Sequence, residues 1–273
     1  IPLTTGLQLV RFLTTESTID QWNLEGLPRD DLSIQNGIIV TSSTRFSLLV
    51  DPQGQGKQWI KNREKDNKIM FTNLNHKAFR QHLEDALGNG CPLLIEDVGE
   101  ELDPVLDPVL DKAFIGTGKR KRVKLGDKEV DFDPGFNLYI TTKLPNPHYS
   151  PETSAKCSII DFTVTMKGLE DQLLARVILQ EKADLEESRQ QLLQEIADCK
   201  KTSEECEEQL LYKLSSVQGT LLDDPDIIDV LNRTKAVALR VKESLASAKE
   251  TETKITLARE EFRPAAHRGS VMY

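Results

Sequence analysis

Residues 51–58 have the types and the spacing of a loop that binds the phosphates of a nucleotide. They read Asp-Pro-Gln-Gly-Gln-Gly-Lys-Gln. In the intact pattern, G-x-x-x-x-G-K-[ST], backbone N–H groups surround the phosphates, the lysine reaches the terminal phosphates and the final hydroxyl ligates Mg²⁺. The site residues that this pattern predicts are Gly54, Gly56, Lys57 and Gln58.

Two positions of the loop depart from the pattern. Asp51 replaces the first glycine, so it adds a carboxylate near the phosphates and restricts a turn that needs the freedom of glycine. Gln58 replaces the hydroxyl residue, and its amide carbonyl is a weaker ligand for Mg²⁺. We therefore expect a degenerate loop with poor Mg²⁺ binding. An ordinary Pro-Gly turn between two elements is the alternative.

Two acidic residues and a lysine could complete such a site. Glu96 and Asp97 follow the apolar run Pro92–Ile95, in the form of the element that holds Mg²⁺ and activates water opposite a phosphate-binding loop. Hydrolysing proteins of this class usually carry Asp and then Glu. Because successive strand residues point to opposite faces, the reversed order exchanges the two roles, and we expect negligible hydrolysis. Two surface acids are the alternative.

Lys143 follows a further apolar run, Phe136–Thr142, where a polar sensor of the γ-phosphate would lie. Taken alone, an exposed loop lysine is the better interpretation. The four histidines are scattered, and none has a nucleophile or an orienting carboxylate at a sequence spacing typical of a catalytic site. The sequence therefore predicts no catalytic residue.

The elements that would position these side chains change in kind near Lys167. Before it, short apolar runs alternate with turns and helical stretches, which predicts an α/β sheet. The predicted strands are Ile38–Thr41, Phe46–Val50, Pro92–Ile95, Phe136–Thr141 and Ile159–Thr165. A helix-compatible stretch, Lys57–Lys65, follows the loop. The basic run 119–122 adjoins an alternating segment around Gly126 and Asp127, which favours a solvated hairpin over a polyanion site.

After Lys167, glycine and proline become scarce and the sequence predicts two long helices. The break between them lies at Gly219 and Asp223–Pro225, with Asp224 as N-cap and Pro225 at the first helical position. Apolar residues at steps of three and four predict that the helices pair in antiparallel fashion; an ordinary bundle is the alternative. The predicted seam of the second helix is Ile227, Leu231, Thr234, Ala238, Val241, Leu245, Ala248, Glu252 and Ile255.

Composition limits the classes of function. The 273 residues carry a net charge of −9, which argues against nucleic acid as a partner. The four cysteines form no C-x-x-C pair and have no histidine at metal spacing, so we expect a reduced intracellular protein without a metal site. We expect no membrane span. The chain begins at Ile1 and ends at Tyr273, which favours a piece of a longer polypeptide.

Four stretches together resemble the dynein heavy chain motor, specifically its fifth AAA+ module. They are LPRDDLSIQNG at 27–37, DPQGQGK at 51–57, EDVGEELDP at 96–104, and FTVT at 162–165 with GLEDQLL at 168–174. The resemblance extends over nearly the whole chain, and the sequence of these stretches is similar to that of an axonemal, inner-arm-like heavy chain.

The resemblance implies a P-loop AAA+ large subdomain at 1–167, followed at 168–273 by a helical lid and part of an antiparallel coiled-coil strut. It implies a module that does not hydrolyse ATP and needs no cofactor, within a parent motor that uses ATP and Mg²⁺. The implied direct partners are the neighbouring AAA+ modules and the stalk. Microtubules and the intermediate and light chains are implied as partners of the parent motor only. Nucleic acid and membrane are not expected as partners. The implied location is cytoplasm and cytoskeleton, in a ciliary axoneme. Lys156 or Arg176 could reach a neighbouring nucleotide.

Two other functions stay open on the sequence. A working P-loop ATPase would lose turnover on Lys57→Ala, whereas a non-hydrolysing relay has no turnover to lose. A coiled-coil ATPase of the chromosome-organising type requires a Ser-Gly-Gly signature segment, which the sequence lacks, and longer arms.

Overall fold

The computed structural model describes residues 9–116, 121–216 and 225–272. The chain divides into two compact units. One holds the residues up to Thr14 together with Glu25–Thr165, and the other holds Thr15–Leu24 and the residues from Met166 onward. Residues 15–24, which the sequence assigns to the first domain, thus group with the second unit.

The elements alternate in the first unit and are helical in the second. The strands are β1 Phe46–Val50, β2 Met70–Asn73, β3 Leu93–Glu96, β4 Phe114–Ile115, β5 Lys121–Leu125, β6 Lys128–Phe132, β7 Leu138–Thr142 and β8 Cys157–Asp161. The helices are α1 Leu9–Leu13, α2 Glu16–Leu24, α3 Asp31–Ser42, α4 Gln55–Arg63, α5 Phe79–Asn89, α6 Asp107–Leu110, α7 Pro151–Lys156, α8 Met166–Glu181, α9 Ala183–Ser216, α10 Pro225–Glu260 and α11 Arg263–Met272. A 3-10 turn, Pro104–Leu106, precedes α6.

A five-stranded sheet forms the centre of the first unit. Its strand order is β2-β3-β7-β1-β8, and each neighbouring pair is parallel. All five residues of β1 are buried, because this strand lies between β7 and β8. One face of the sheet contributes Leu48 and Ile140 to a core that also holds Leu83 of α5 and Val123 of β5. The predicted α/β class is confirmed, and the structure adds that the central sheet is parallel.

The strand predicted at Ile38–Thr41 is wrong, because these residues lie in α3. Asp30 caps this helix, since its carboxylate accepts a hydrogen bond from the backbone N–H of Ser33 at 3.2 Å. Ile38 and Val40 are buried within the helix. The cap and the buried side chains outweigh the β propensity of a short run of β-branched residues.

The hairpin predicted around Gly126 is present in a separate antiparallel sheet, β4-β5-β6. Gly126 has φ of 59°, the left-handed conformation that glycine adopts readily. In β5, Lys121 and Arg122 are exposed whereas Val123 is buried, as a solvated hairpin requires. The first half of the basic run, Lys119 and Arg120, lies outside the described residues.

In the second unit, α9 and α10 pack side by side. Leu192 and Ile196, early in α9, share an apolar cluster with Ala248 and Ile255, late in α10, so the two helices run antiparallel. The predicted seam is buried at Val241, Ala248 and Ile255, while Ala238 is exposed. Gly219, Asp223 and Asp224 of the predicted break lie outside the described residues, and α10 begins at Pro225 as predicted.

A second cluster joins α8 to α11 through Leu174, Ile178 and Ala266. Beside it, Glu170 of α8 accepts hydrogen bonds from the Arg263 guanidinium at 2.7 Å and pairs with His267 Nδ1 at 3.0 Å. Among the residues described, no helix combines the length and the apolar character that crossing a membrane requires.

Candidate functional site

The predicted loop lies between β1 and α4, at the carboxyl end of an inner strand of the sheet. The strand ends at Val50, the chain turns at Gly54 with φ of 77°, and α4 begins at Gln55. The backbone N–H of Gly54 donates to the carbonyl of Asp51 at 3.3 Å. This is the strand, turn and helix that the motif requires, with a helix that starts two residues before the predicted Lys57.

The Asp51 side chain turns into the loop. Its carboxylate oxygens accept hydrogen bonds from the backbone N–H groups of Gln55 and Lys57, each at 2.8 Å. Asp51 is only 2% exposed. Burial raises the pKa of this carboxyl, and the hydrogen bonds from the amides of Lys57 and Gln55 offset part of that rise. The carboxylate thus occupies donors that an intact loop directs at phosphate.

The Lys57 side chain is paired with an acid of the same chain. Its Nζ lies 2.9 Å from Oε1 of Glu96, the last residue of β3. Both side chains are about one-third exposed, at 33% and 27%. The structure therefore brings together two of the predicted site residues as an ion pair across neighbouring elements.

Asp97 and Lys143 form a second ion pair. Lys143 Nζ donates to Asp97 Oδ2 at 2.8 Å, and this carboxylate raises the pKa of the lysine. Asp97 has φ of 54°, so it has left the strand conformation of Glu96. The expectation that Glu96 and Asp97 point to opposite faces of one strand therefore does not apply to Asp97.

Gln58, at the position of the Mg²⁺-binding hydroxyl, is directed along its own helix. It is exposed, and its Nε2 donates to Oδ1 of Asn62, one turn later in α4, at 3.0 Å. In this arrangement the Gln58 amide forms a helix-surface hydrogen bond.

Two aromatic residues that the sequence did not single out pack beneath the loop. A methyl group added to Gly56 would lie 2.9 Å from Cγ of Phe162, which is 1% exposed, so only glycine fits there. Phe162 also stacks on Trp59 of α4, with ring centroids 6.1 Å apart. The sequence places Phe162 within the predicted strand Ile159–Thr165, whereas β8 ends at Asp161. The contact of Phe162 with Gly56 joins residues more than a hundred positions apart.

The two cations considered for a neighbouring nucleotide differ in their surroundings. Lys156 Nζ lies 2.9 Å from Asp107, 3.8 Å from Asp111 and 2.7 Å from Glu152, and its hydrogen bonds to Glu152 and Asp107 raise its pKa. Lys156 therefore fastens α7 to α6. Arg176 is exposed on α8, in the other unit.

Comparison with known proteins identifies the chain's family. The pattern of the family described as "ATP-binding dynein motor region" matches residues 20–241. The chain is 60% identical to Dynein axonemal heavy chain 5 of Mus musculus, 59% to Dynein axonemal heavy chain 8 of Homo sapiens and 54% to Dynein gamma chain, flagellar outer arm, of Chlamydomonas reinhardtii. Each alignment covers 100% of this chain. The chain belongs to the dynein motor-region family. It spans 6% of the length of each of these relatives.

The residues of this dynein chain fit bound ATP and Mg²⁺ poorly at this loop. Asp51 holds loop amides, Gln58 supplies no hydroxyl, and the Lys57 charge is taken by Glu96. What the arrangement does provide is a loop whose charged side chains already have partners in the same chain: backbone amides for Asp51 and Glu96 for Lys57.

Proposed function

We propose that this chain is a non-hydrolysing AAA+ module of a dynein heavy chain, equivalent to the fifth module of the motor. Its role is to relay conformational change between ATP-driven modules and the stalk. The observation that carries the proposal is the Asp51 carboxylate on the loop amides of Gln55 and Lys57, at 2.8 Å each.

The energetics of the loop support a site without nucleotide. A phosphate entering the loop would displace the Asp51 carboxylate, leaving a buried acceptor without partners at a cost of about 1–3 kcal/mol or more. Repulsion between the carboxylate and one phosphate charge about 4 Å away adds on the order of 4 kcal/mol at an effective dielectric constant near 20. Because about 1.4 kcal/mol corresponds to a tenfold change, these terms weaken binding by roughly a thousandfold or more.

The helical unit supports a mechanical role. The antiparallel pair α9 and α10 forms a long arm, and the Glu170 pairs with Arg263 and His267 fasten α11, which follows this arm, to α8. We propose that residues 1–167 are the large subdomain and that 168–273 form the lid and the first part of the coiled-coil strut. A stiff helical arm transmits rigid-body motion, which requires no chemistry within the module.

The proposed setting follows from the relatives. Neighbouring AAA+ modules and the stalk of the same heavy chain would contact this module, while microtubules and the intermediate and light chains would bind elsewhere on the parent motor. The names of the relatives place them in axonemes and flagella, and we propose the same location here. The 54% identity to a flagellar outer-arm chain favours the outer-arm type over the inner-arm type that the sequence wording suggested.

Phosphate release in the presence of Mg²⁺-ATP tests the proposal. We expect background release from the 273-residue chain and the same background from Lys57→Ala. Lys61→Ala changes an exposed lysine of the same helix and serves as the matched control. Release that is lost in Lys57→Ala but kept in Lys61→Ala would establish the alternative, an active ATP-hydrolysing P-loop module.

A further inference from the structure

We infer that Asp51 acts as an intramolecular ligand, in which a carboxylate takes the place of a phosphate oxyanion and fixes the shape of the loop without nucleotide. This inference rests on the proposed function. If the module works without nucleotide, the Asp51 carboxylate is the group that gives the loop its shape in the absence of a ligand. Its corollary is a latent site for phosphate-type oxyanions, which removal of the Asp51 side chain would open.

The geometry of the donors supports the inference. Gln55 and Lys57 supply the first and third N–H groups of the nine-residue helix α4, and both bind the Asp51 carboxylate at 2.8 Å. N–H groups of a first helical turn have no partner within the helix, and they attract anions together with the helix dipole. The Asp51 carboxylate is an anion and is 2% exposed, so the anion-binding position of the loop is already filled by a group of the chain itself.

Asp51 is placed differently from an ordinary helix cap. The N-cap position of α4 is Gly54, which contributes no side-chain hydrogen bond. Asp51 reaches the helix from three residues further upstream, directly after β1, which is the position of the first glycine of a phosphate-binding loop. The carboxylate therefore enters the loop from the side of the strand.

The remaining loop contacts would let an anion replace the carboxylate. Phe162 lies against Gly56 from within the core and holds the loop close to the sheet. Lys57 Nζ lies on Glu96 at the rim, where it is 33% exposed, and the lysine at this position of the pattern is the one that reaches the terminal phosphates. An oxyanion in place of the Asp51 carboxylate would thus meet the two amides that Asp51 now binds, together with a lysine.

Thermal unfolding of the 273-residue chain with sodium pyrophosphate, at constant ionic strength, tests the corollary. We expect Asp51→Gly to lower the Tm by about 2–4 °C, and 10 mM pyrophosphate to restore at least half of that loss. The wild-type Tm should shift by less than 1 °C on the same addition.

Asp103→Gly is the matched control. Asp103 also accepts a hydrogen bond from a backbone N–H, that of Val105 at 2.9 Å, but it lies at a turn without a phosphate-binding pattern. A pyrophosphate shift in Asp51→Gly no larger than that in Asp103→Gly would overturn the inference.

Two further measurements keep the test decisive. If Asp51→Gly does not fold, Asp51→Asn, which keeps one acceptor and removes the charge, should still give a larger pyrophosphate shift than the wild type. In the wild type, the amides of Gln55 and Lys57 should resist hydrogen exchange without any ligand, and rapid exchange at both would contradict the inference. Failure of the pyrophosphate tests with no phosphate release from the wild type would leave the proposed function standing, whereas phosphate release by the wild type would refute the proposed function itself.

Discussion

At the scale of single residues, Lys57 and Lys143 each form an ion pair with a carboxylate of the same chain, at 2.9 and 2.8 Å. Such exposed pairs contribute little to stability, so their main effect is to decide which charges are free to meet a ligand. Asp51 differs, because its carboxylate is buried and its partners are backbone amides. The single exchange of glycine for Asp51 therefore has the largest effect on what the loop can bind.

The four cysteines should differ in reactivity. All four are free thiols, but only Cys157 is buried, and burial raises its pKa to about 11. Because the thiolate is the reactive form, we expect Cys157 to react with a disulfide reagent at pH 8 at least tenfold more slowly than Cys91, Cys199 and Cys206. Mass spectrometry of the labelled peptides measures this. The difference should vanish in denaturant, and equal rates in the native chain would contradict the burial of Cys157.

Part of the site could be predicted at this scale. The loop pattern identified Lys57 and the two departures at Asp51 and Gln58, since local sequence sets residue type and spacing. The direction of the Asp51 side chain could not be predicted, because it depends on a rotamer chosen by amides six residues along the chain. The contact of Phe162 with Gly56 was missed for a related reason, as long-range packing leaves no local pattern.

At the scale of elements, the α9–α10 seam should carry the stability of the helical arm. Ile255 is 7% exposed within the seam, whereas Leu257, two residues later, is 66% exposed. We expect Ile255→Ala to lower the free energy of unfolding by about 2–4 kcal/mol and Leu257→Ala by less than about 0.5 kcal/mol. Urea unfolding followed by circular dichroism gives both values. Equal effects of the two substitutions would mean that the helices do not pair in this register.

The link between α8 and α11 should depend on pH. Arg263 and His267 lower the pKa of Glu170 from its ordinary value of 4.5, and the other charged groups nearby are Glu260 and Asp171. A lowered pKa in the folded state means that the contribution is complete above pH 4.5 and disappears as the pH falls through the folded value.

The variant Glu170→Gln should therefore be less stable than the wild type at pH 7, and the two should converge on acidification below pH 4.5. Thermal unfolding across pH 3–7 measures the difference. Glu181→Gln, an exposed glutamate at the end of the same helix, is the control and should change little. A difference for Glu170→Gln that stays constant over the whole range would exclude the ionic link as its cause.

Element types were largely predictable, and the exception has a physical cause. The long helix α10 has a pattern that persists over many residues, and β1 is a short apolar run that leads directly into the loop. The run at 38–41 is short and β-branched, and the helix that contains it is decided by the Asp30 cap and by tertiary burial.

At the scale of the whole molecule, the net charge of −9 repels a nucleotide before any contact forms, and the loop then offers it a carboxylate. The chain spans 6% of its relatives, so its proposed role lies in transmitting motion within a larger ring.

A calorimetric titration of Mg²⁺-ATP into the 273-residue chain tests this account most directly. We predict no saturable heat up to millimolar nucleotide, because binding would have to displace the Asp51 carboxylate from the amides of Gln55 and Lys57. A saturable isotherm with a micromolar dissociation constant would contradict the account.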